Sequence, residues 1–85
     1  MKFEWDEVKN VRNFKKHGIW FEEAQTVWAD SQASEFCDPD HGAVEDRFIR
    51  VGYSRANRVL VVIFCERHAG TIRIISARKA TPKER

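Results

Sequence analysis

The sequence predicts an α+β domain: two N-terminal helices, then a four-stranded, mainly antiparallel sheet, then a truncated or very short C-terminal helix. Three observations carry this. Apolar residues recur at helical spacing up to residue 29. The period changes to alternation after Asp30, and the last three alternating runs are separated only by short turns. Helices segregated to one side of an antiparallel sheet make an α+β domain. The chain, residues 1–85, has the length of one domain, and its 42% hydrophobic content suffices for one core.

Asp6 is a good N-cap residue, and Trp5, Val8, Val11 and Phe14 recur every three residues before Gly18. That spacing predicts a first helix over 7–17. Lys15, Lys16 and His17 fall in its last turn, where the helix dipole favours positive charge, and Gly18 is placed as the left-handed residue after it. A second helix is expected over 21–29, burying Phe21, Ala24 and Trp28. Its N-cap position is Trp20, which has no side-chain acceptor, so this helix starts without its usual cap.

Residues 33–37 read as a short strand, and Asp38-Pro39-Asp40-His41-Gly42 as a turn-rich loop. Residues 47–53 alternate, Phe48 and Arg50 against Ile49, Val51 and Tyr53, before a turn at 54–57. The β-branched run 58–65 marks a central strand covered on both faces. After a turn at 68–70, residues 71–78 alternate Ile72, Ile74, Ser76 and Arg78 against Arg73, Ile75 and Ala77. Thr81-Pro82-Lys83-Glu84 carries a capping-box signature, announcing a helix just where the chain stops.

The net charge of +2 hides an asymmetry. Residues 1–29 balance five basic and five acidic side chains, residues 30–46 hold six acids and no Lys or Arg, and residues 47–85 hold ten basic residues against Glu66 and Glu84. A half carrying +8 suggests an acidic partner, nucleic acid first. A solvated sheet face balanced by the acidic loop explains the same numbers. No segment is long and apolar enough for a membrane helix, and the acidic, aromatic N-terminus is unlike a signal peptide, so a cytoplasmic location with no membrane partner is expected. Cys37 and Cys65 are expected as reduced, semi-buried strand residues, and with His41 and His68 they lack the spacing of a zinc site. No cofactor or nucleophile motif is present. What remains is metal-free chemistry on a phosphodiester, in which a ribose 2′-OH attacks its own phosphate and cationic side chains stabilise the charge that develops.

Arg67, Arg73 and Arg78, on the last two strands, are the candidate phosphate ligands, because a guanidinium stays charged and binds two oxygens at once. Edge-blunting strand residues are the plain alternative for each. On antiparallel strands Arg67 and Arg78 should lie about 23 Å apart, able to line one groove but not to grip one phosphate. His17 suits general acid–base work near neutrality, with a C-capping role as its alternative. Lys9, Arg12 and Lys16 fall within two turns of the first helix, as a solvated face would.

The ordered segments Phe3-Glu4-Trp5-Asp6, Lys16-His17-Gly18, Phe21-Glu22-Glu23-Ala24 and Arg73-Ile74-Ile75-Ser76-Ala77-Arg78 resemble the BrnT family of bacterial toxins. Glu66-Arg67 and Glu45-Asp46-Arg47 fit the same pattern, and the resemblance covers nearly the whole chain. It implies a RelE-like ribonuclease fold, RNA cleavage that arrests translation, and neutralisation by a BrnA-type antitoxin. Such antitoxins carry a ribbon-helix-helix portion, and the complex binds operator DNA. The resemblance implies functional positions at Arg67, Arg78, Lys9, His17 and Ser76; of the residues singled out, His17, Arg67 and Arg78 are expected to be catalytic, and Lys9, Lys16, Arg73 and Ser76 to contact RNA. The chain departs from the family in having Trp20 where a capping Ser is common and in ending where a C-terminal helix should begin. A non-enzymatic binding module, or a degenerate toxin acting only as an antitoxin-bound co-repressor, would use the same charges without turnover.

Overall fold

The structure, a computed structural model, describes residues 1–38, 47–68 and 70–84. Strand β1 (Lys2–Glu4) leads into helix α1 (Glu7–His17). Asp6 caps α1 by accepting from the backbone N–H groups of Val8 and Lys9, and Gly18 ends it at φ 74°, as expected. Helix α2 is short (Phe21–Ala24) and tightens into a 3-10 turn over Gln25–Ala29. The expected helix over 21–29 therefore divides. Thr26 contributes to the change, its hydroxyl bonding back to the Glu23 carbonyl at 2.6 Å.

Four further strands follow: β2 (Ser34–Cys37), β3 (Phe48–Tyr53), β4 (Val59–Glu66) and β5 (Thr71–Lys79), and then a 3-10 turn over Pro82–Glu84. The sheet order is β1-β5-β4-β3-β2. It is a five-stranded mixed sheet, not the four-stranded antiparallel one expected, because β1 pairs in parallel with Thr71–Arg73 of β5. A three-residue strand has no detectable period, which is why the sequence conceals it. The other pairings are antiparallel, as predicted. The expected loop at residues 39–42 lies outside the described residues.

Helices cover one face of the sheet. Ile19, Phe21, Ala24 and Val27 pack on Leu60, Val62 and Phe64 of β4 and on Ile72, Ile74 and Ala77 of β5. Trp28 stands edge-on between Phe3 and Phe64, at 5.2 and 4.9 Å between ring centres. Each large side chain sealed here contributes about 1.5–3 kcal/mol. The second face carries no helical layer of its own among the described residues, yet Val61 and Cys65 on it are buried, so β4 is central and largely screened on both sides.

The β5 alternation is also corrected. Ile63 faces Ser76 and Phe64 faces Ile74, so Ile75 is an extra residue, a β-bulge. The bulge reverses the parity beyond it. Ile72, Ile74 and Ala77 share the core, and Arg73, Ser76 and Arg78 share the open face. Cys65 is buried and Cys37 is exposed rather than semi-buried; neither forms a disulfide.

Helix α1 has its polar side inward. Asn10 and Asn13 are its buried residues. The Asn13 amide donates to the carbonyls of Ile19 and Ala77, each at 2.8 Å, and its oxygen accepts from the Ala77 N–H at 3.1 Å. The Asn10 oxygen accepts from the Phe21 N–H at 2.7 Å. That bond serves the start of α2, for which Trp20 offers no side-chain cap. The Asn10 amide donates to Glu7 and Glu22, both at 2.8 Å.

Candidate functional site

The open face of the sheet holds the arginines. Facing pairs across β2, β3 and β4 leave Phe36, Ile49, Val51, Tyr53, Val61 and Ile63 on one side, lining a groove of about 730 Å³. Arg78 stands on its rim with Glu84. Their contact is bidentate, with guanidinium nitrogens 2.8 and 2.7 Å from the two carboxylate oxygens. The capping box explains why Glu84 is there. Its Oε1 also accepts the Thr81 N–H at 2.7 Å, and the Glu84 N–H donates to the Thr81 carbonyl at 2.9 Å. Arg78 and Thr81 together hold the Glu84 carboxyl at about 2, well below its ordinary value.

A second cluster lies near the β4–β5 turn. Glu4 points to the open face because Phe3, its neighbour, packs on the core. Its carboxylate is 3.0 Å from Arg73 and 3.6 Å from Arg67. Arg67 donates its backbone N–H to the Thr71 carbonyl at 3.0 Å. Arg67 and Arg78 are thus seven β5 residues apart, about 23 Å along a strand, as the sequence reading required. Ser76 lies between Arg73 and Arg78 on the same face.

Lys9, Lys16 and His17 sit elsewhere. They belong to α1, on the core side of the sheet, and no hydrogen bond or ion pair among the described residues joins them to Arg67, Arg73 or Arg78. The nearest link is the Asn13–Ala77 clamp, which holds α1 beside the residue between Ser76 and Arg78.

Two other cations of the basic half, Arg50 and Arg58, are committed to the fold. Arg50 donates to the carbonyls of Val27 and Asp30, pairs with Glu35 at 2.8 Å and lies 5.2 Å over the Trp28 ring. Arg58 forks onto Glu23, which also accepts from the buried Ser54 hydroxyl. These bonds pull the Glu23 carboxyl below its ordinary range, Arg58 first, with burial opposing. Sequence reasoning missed Glu4 and Glu84 as arginine partners. Glu84 was legible only as a capping residue, and Glu4 required the unrecognised strand. No group of three metal-ligating side chains occurs among the described residues, and no helix among them is long and apolar enough to cross a membrane.

A helical layer on one face of a sheet and arginines along the other define a small two-layer α+β protein that displays guanidinium groups on an uncovered surface. Residues 5–84 match the family described as the ribonuclease toxin, BrnT, of a type II toxin–antitoxin system. The chain belongs to that BrnT family. It is similar to the crystal structure of the Brucella abortus ribonuclease toxin BrnT, with 29% identity and a TM-score of 0.70, covering 95% of this chain and 97% of that one. No curated protein sequence matches.

Proposed function

We propose that this toxin is a metal-independent endoribonuclease whose open sheet face receives the RNA strand. The observation that carries the reading is the bulge at Ile75, which sets Arg73, Ser76 and Arg78 on one face with Arg67. The strand lies along β5. Arg73 and Arg67 take one phosphate and Arg78 takes another farther along, with Ser76 as a polar contact between them. The 2′-OH loses its proton to solvent and attacks the adjacent phosphorus to form a cyclic phosphate. The bond to the 5′-oxygen breaks with that oxygen taking up a proton, and the guanidinium groups stabilise the charge on the phosphoryl oxygens. Pairing between β1 and β5 stops at Arg73, so α1 approaches the far half of β5 with no strand between. Lys9 and Lys16 meet RNA passing that edge, and His17 is the general acid–base group offered to the leaving oxygen. Cleavage arrests translation in the cytoplasm. A BrnA-type antitoxin with a ribbon-helix-helix portion neutralises the toxin, and the complex binds operator DNA.

The test is cleavage of single-stranded RNA by purified protein in EDTA. We expect Arg67→Ala and Arg78→Ala each to lower the rate by about 100-fold or more, the scale of a lost charge-stabilising donor. Full activity in both variants, or none in the wild type, would overturn the reading. His17→Ala is scored separately: unchanged activity removes it from the chemistry without touching the arginine face.

A further inference from the structure

With its asparagines turned inward, α1 presents its apolar residues to solvent. Val8, Val11, Phe14 and the adjoining Trp20 are 60%, 38%, 39% and 40% exposed. Phe14 and Trp20 are stacked on each other, 4.1 Å between ring centres and 11° apart. At about 100° per residue, Val8, Val11 and Phe14 span roughly a third of the helix circumference. Lys15 lies inside that arc and Arg12 beside it. Lys9, Arg12, Lys15 and Lys16 are all exposed and join no ion pair among the described residues.

Two features oppose an accidental origin. The core holds two amides while four large apolar side chains of the same region stay in water, the reverse of what burial favours. Trp20 also stands at the N-cap of α2 without capping it, a position where Ser, Thr, Asp or Asn would serve the local fold better. Its ring instead enlarges the exposed apolar surface.

We infer that this α1–Trp20 surface is a protein-docking site whose occupant is an acidic, amphipathic helical segment of the antitoxin. The inference rests on the toxin–antitoxin reading for its partner but not on the arginine face being catalytic. Charge complementarity selects an anionic occupant, since the exposed cations beside the stripe join no ion pair among the described residues. The stripe selects protein over RNA: Val8 and Val11 offer nothing to a phosphate or sugar, whereas a second helix crossing α1 can seat apolar side chains on Val8, Val11, Phe14 and Trp20 while its carboxylates reach Arg12 and Lys15. Aromatic anchors of this kind dominate interface energetics.

The experiment measures affinity of the purified toxin for its cognate antitoxin by titration calorimetry, alongside RNA cleavage by the unbound toxin. Val8→Glu/Val11→Glu changes only exposed residues, and Arg12→Glu/Lys15→Glu reverses two cations that have no ion-pair partner among the described residues. Each double variant should bind the antitoxin at least about 10-fold more weakly while the free protein keeps its Tm and its cleavage rate. Unchanged affinity in both variants would overturn the inference. So would loss of cleavage with antitoxin binding intact, which would assign the stripe to RNA. If the wild type binds antitoxin through this surface but cleaves no RNA, the docking site stands and the ribonuclease reading falls.

Discussion

Asn13 shows how much of this fold turns on single polar side chains. One buried amide closes three hydrogen bonds, two of them to Ala77, and so fixes α1 against the half of β5 that carries Ser76 and Arg78. Asn13→Ala leaves the Ile19 carbonyl and both Ala77 backbone groups without those partners. Unsatisfied buried groups cost about 1–3 kcal/mol each, and with partial rehydration a total loss of about 2–4 kcal/mol is expected in urea unfolding. A loss below about 0.5 kcal/mol would mean that water replaces the amide without penalty. Gly52 is constrained differently. A Cβ there would lie 2.7 Å from the Ala33 Cβ, 2.9 Å from Asp30 Oδ2 and 3.1 Å from Val27 Cγ1. The same Asp30 oxygen accepts the Tyr53 N–H at 2.8 Å. Gly52→Ala therefore overpacks the β3 contact with the 3-10 turn, and a destabilisation of about 1–3 kcal/mol should appear in the same assay.

At the scale of elements, the last turn is held mainly by its capping box and Arg78. The Glu84 carboxyl has its pKa lowered from 4.5 to about 2, by Arg78 first and the Thr81 N–H second. A carboxyl depressed on folding contributes stability that is whole above its unfolded pKa and is lost as pH falls toward the folded one. The turn should therefore stay docked at pH 5 and release between about pH 4.5 and 2. A carbon-13 titration of the Glu84 carboxyl should find a midpoint near 2; a midpoint near 4.5 would show the turn undocked in solution. Legibility in the sequence followed the same division. Helix α1, its Asp6 cap and its Gly18 stop were readable because each is a local signal, and so were the strands from β2 to β5. The parallel strand β1 and the bulge at Ile75 were not, since both are pairing events defined by a distant partner. That is why the three arginines could be nominated from sequence but not assigned to one face. The missing cap of α2 was visible at Trp20, but its replacement by Asn10 belongs to tertiary structure.

Across the whole molecule, part of the charge that first pointed to nucleic acid is spent internally. Arg50, Arg58 and Arg78 are paired with Glu35, Glu23 and Glu84, and Arg67 and Arg73 share Glu4. On the proposed reading, RNA that meets Arg67, Arg73 and Arg78 must displace carboxylates from their guanidinium groups. This has a measurable consequence. Each phosphate neutralised on a single strand gives a slope of about −0.7 in log K against log salt, through release of counterions. Exchanging Glu84 for phosphate at Arg78 frees a carboxylate that takes up a cation again, so that contact contributes almost no slope. Anisotropy titrations with a 2′-O-methyl RNA, which cannot be cleaved, should find that Glu84→Gln binds more tightly than the wild type and steepens the slope by about 0.7. Arg78→Ala should abolish the difference that Glu84→Gln makes. If Glu84→Gln leaves both slope and affinity unchanged, Arg78 does not meet a phosphate, and its pairing with Glu84 serves only to hold down the end of the sheet.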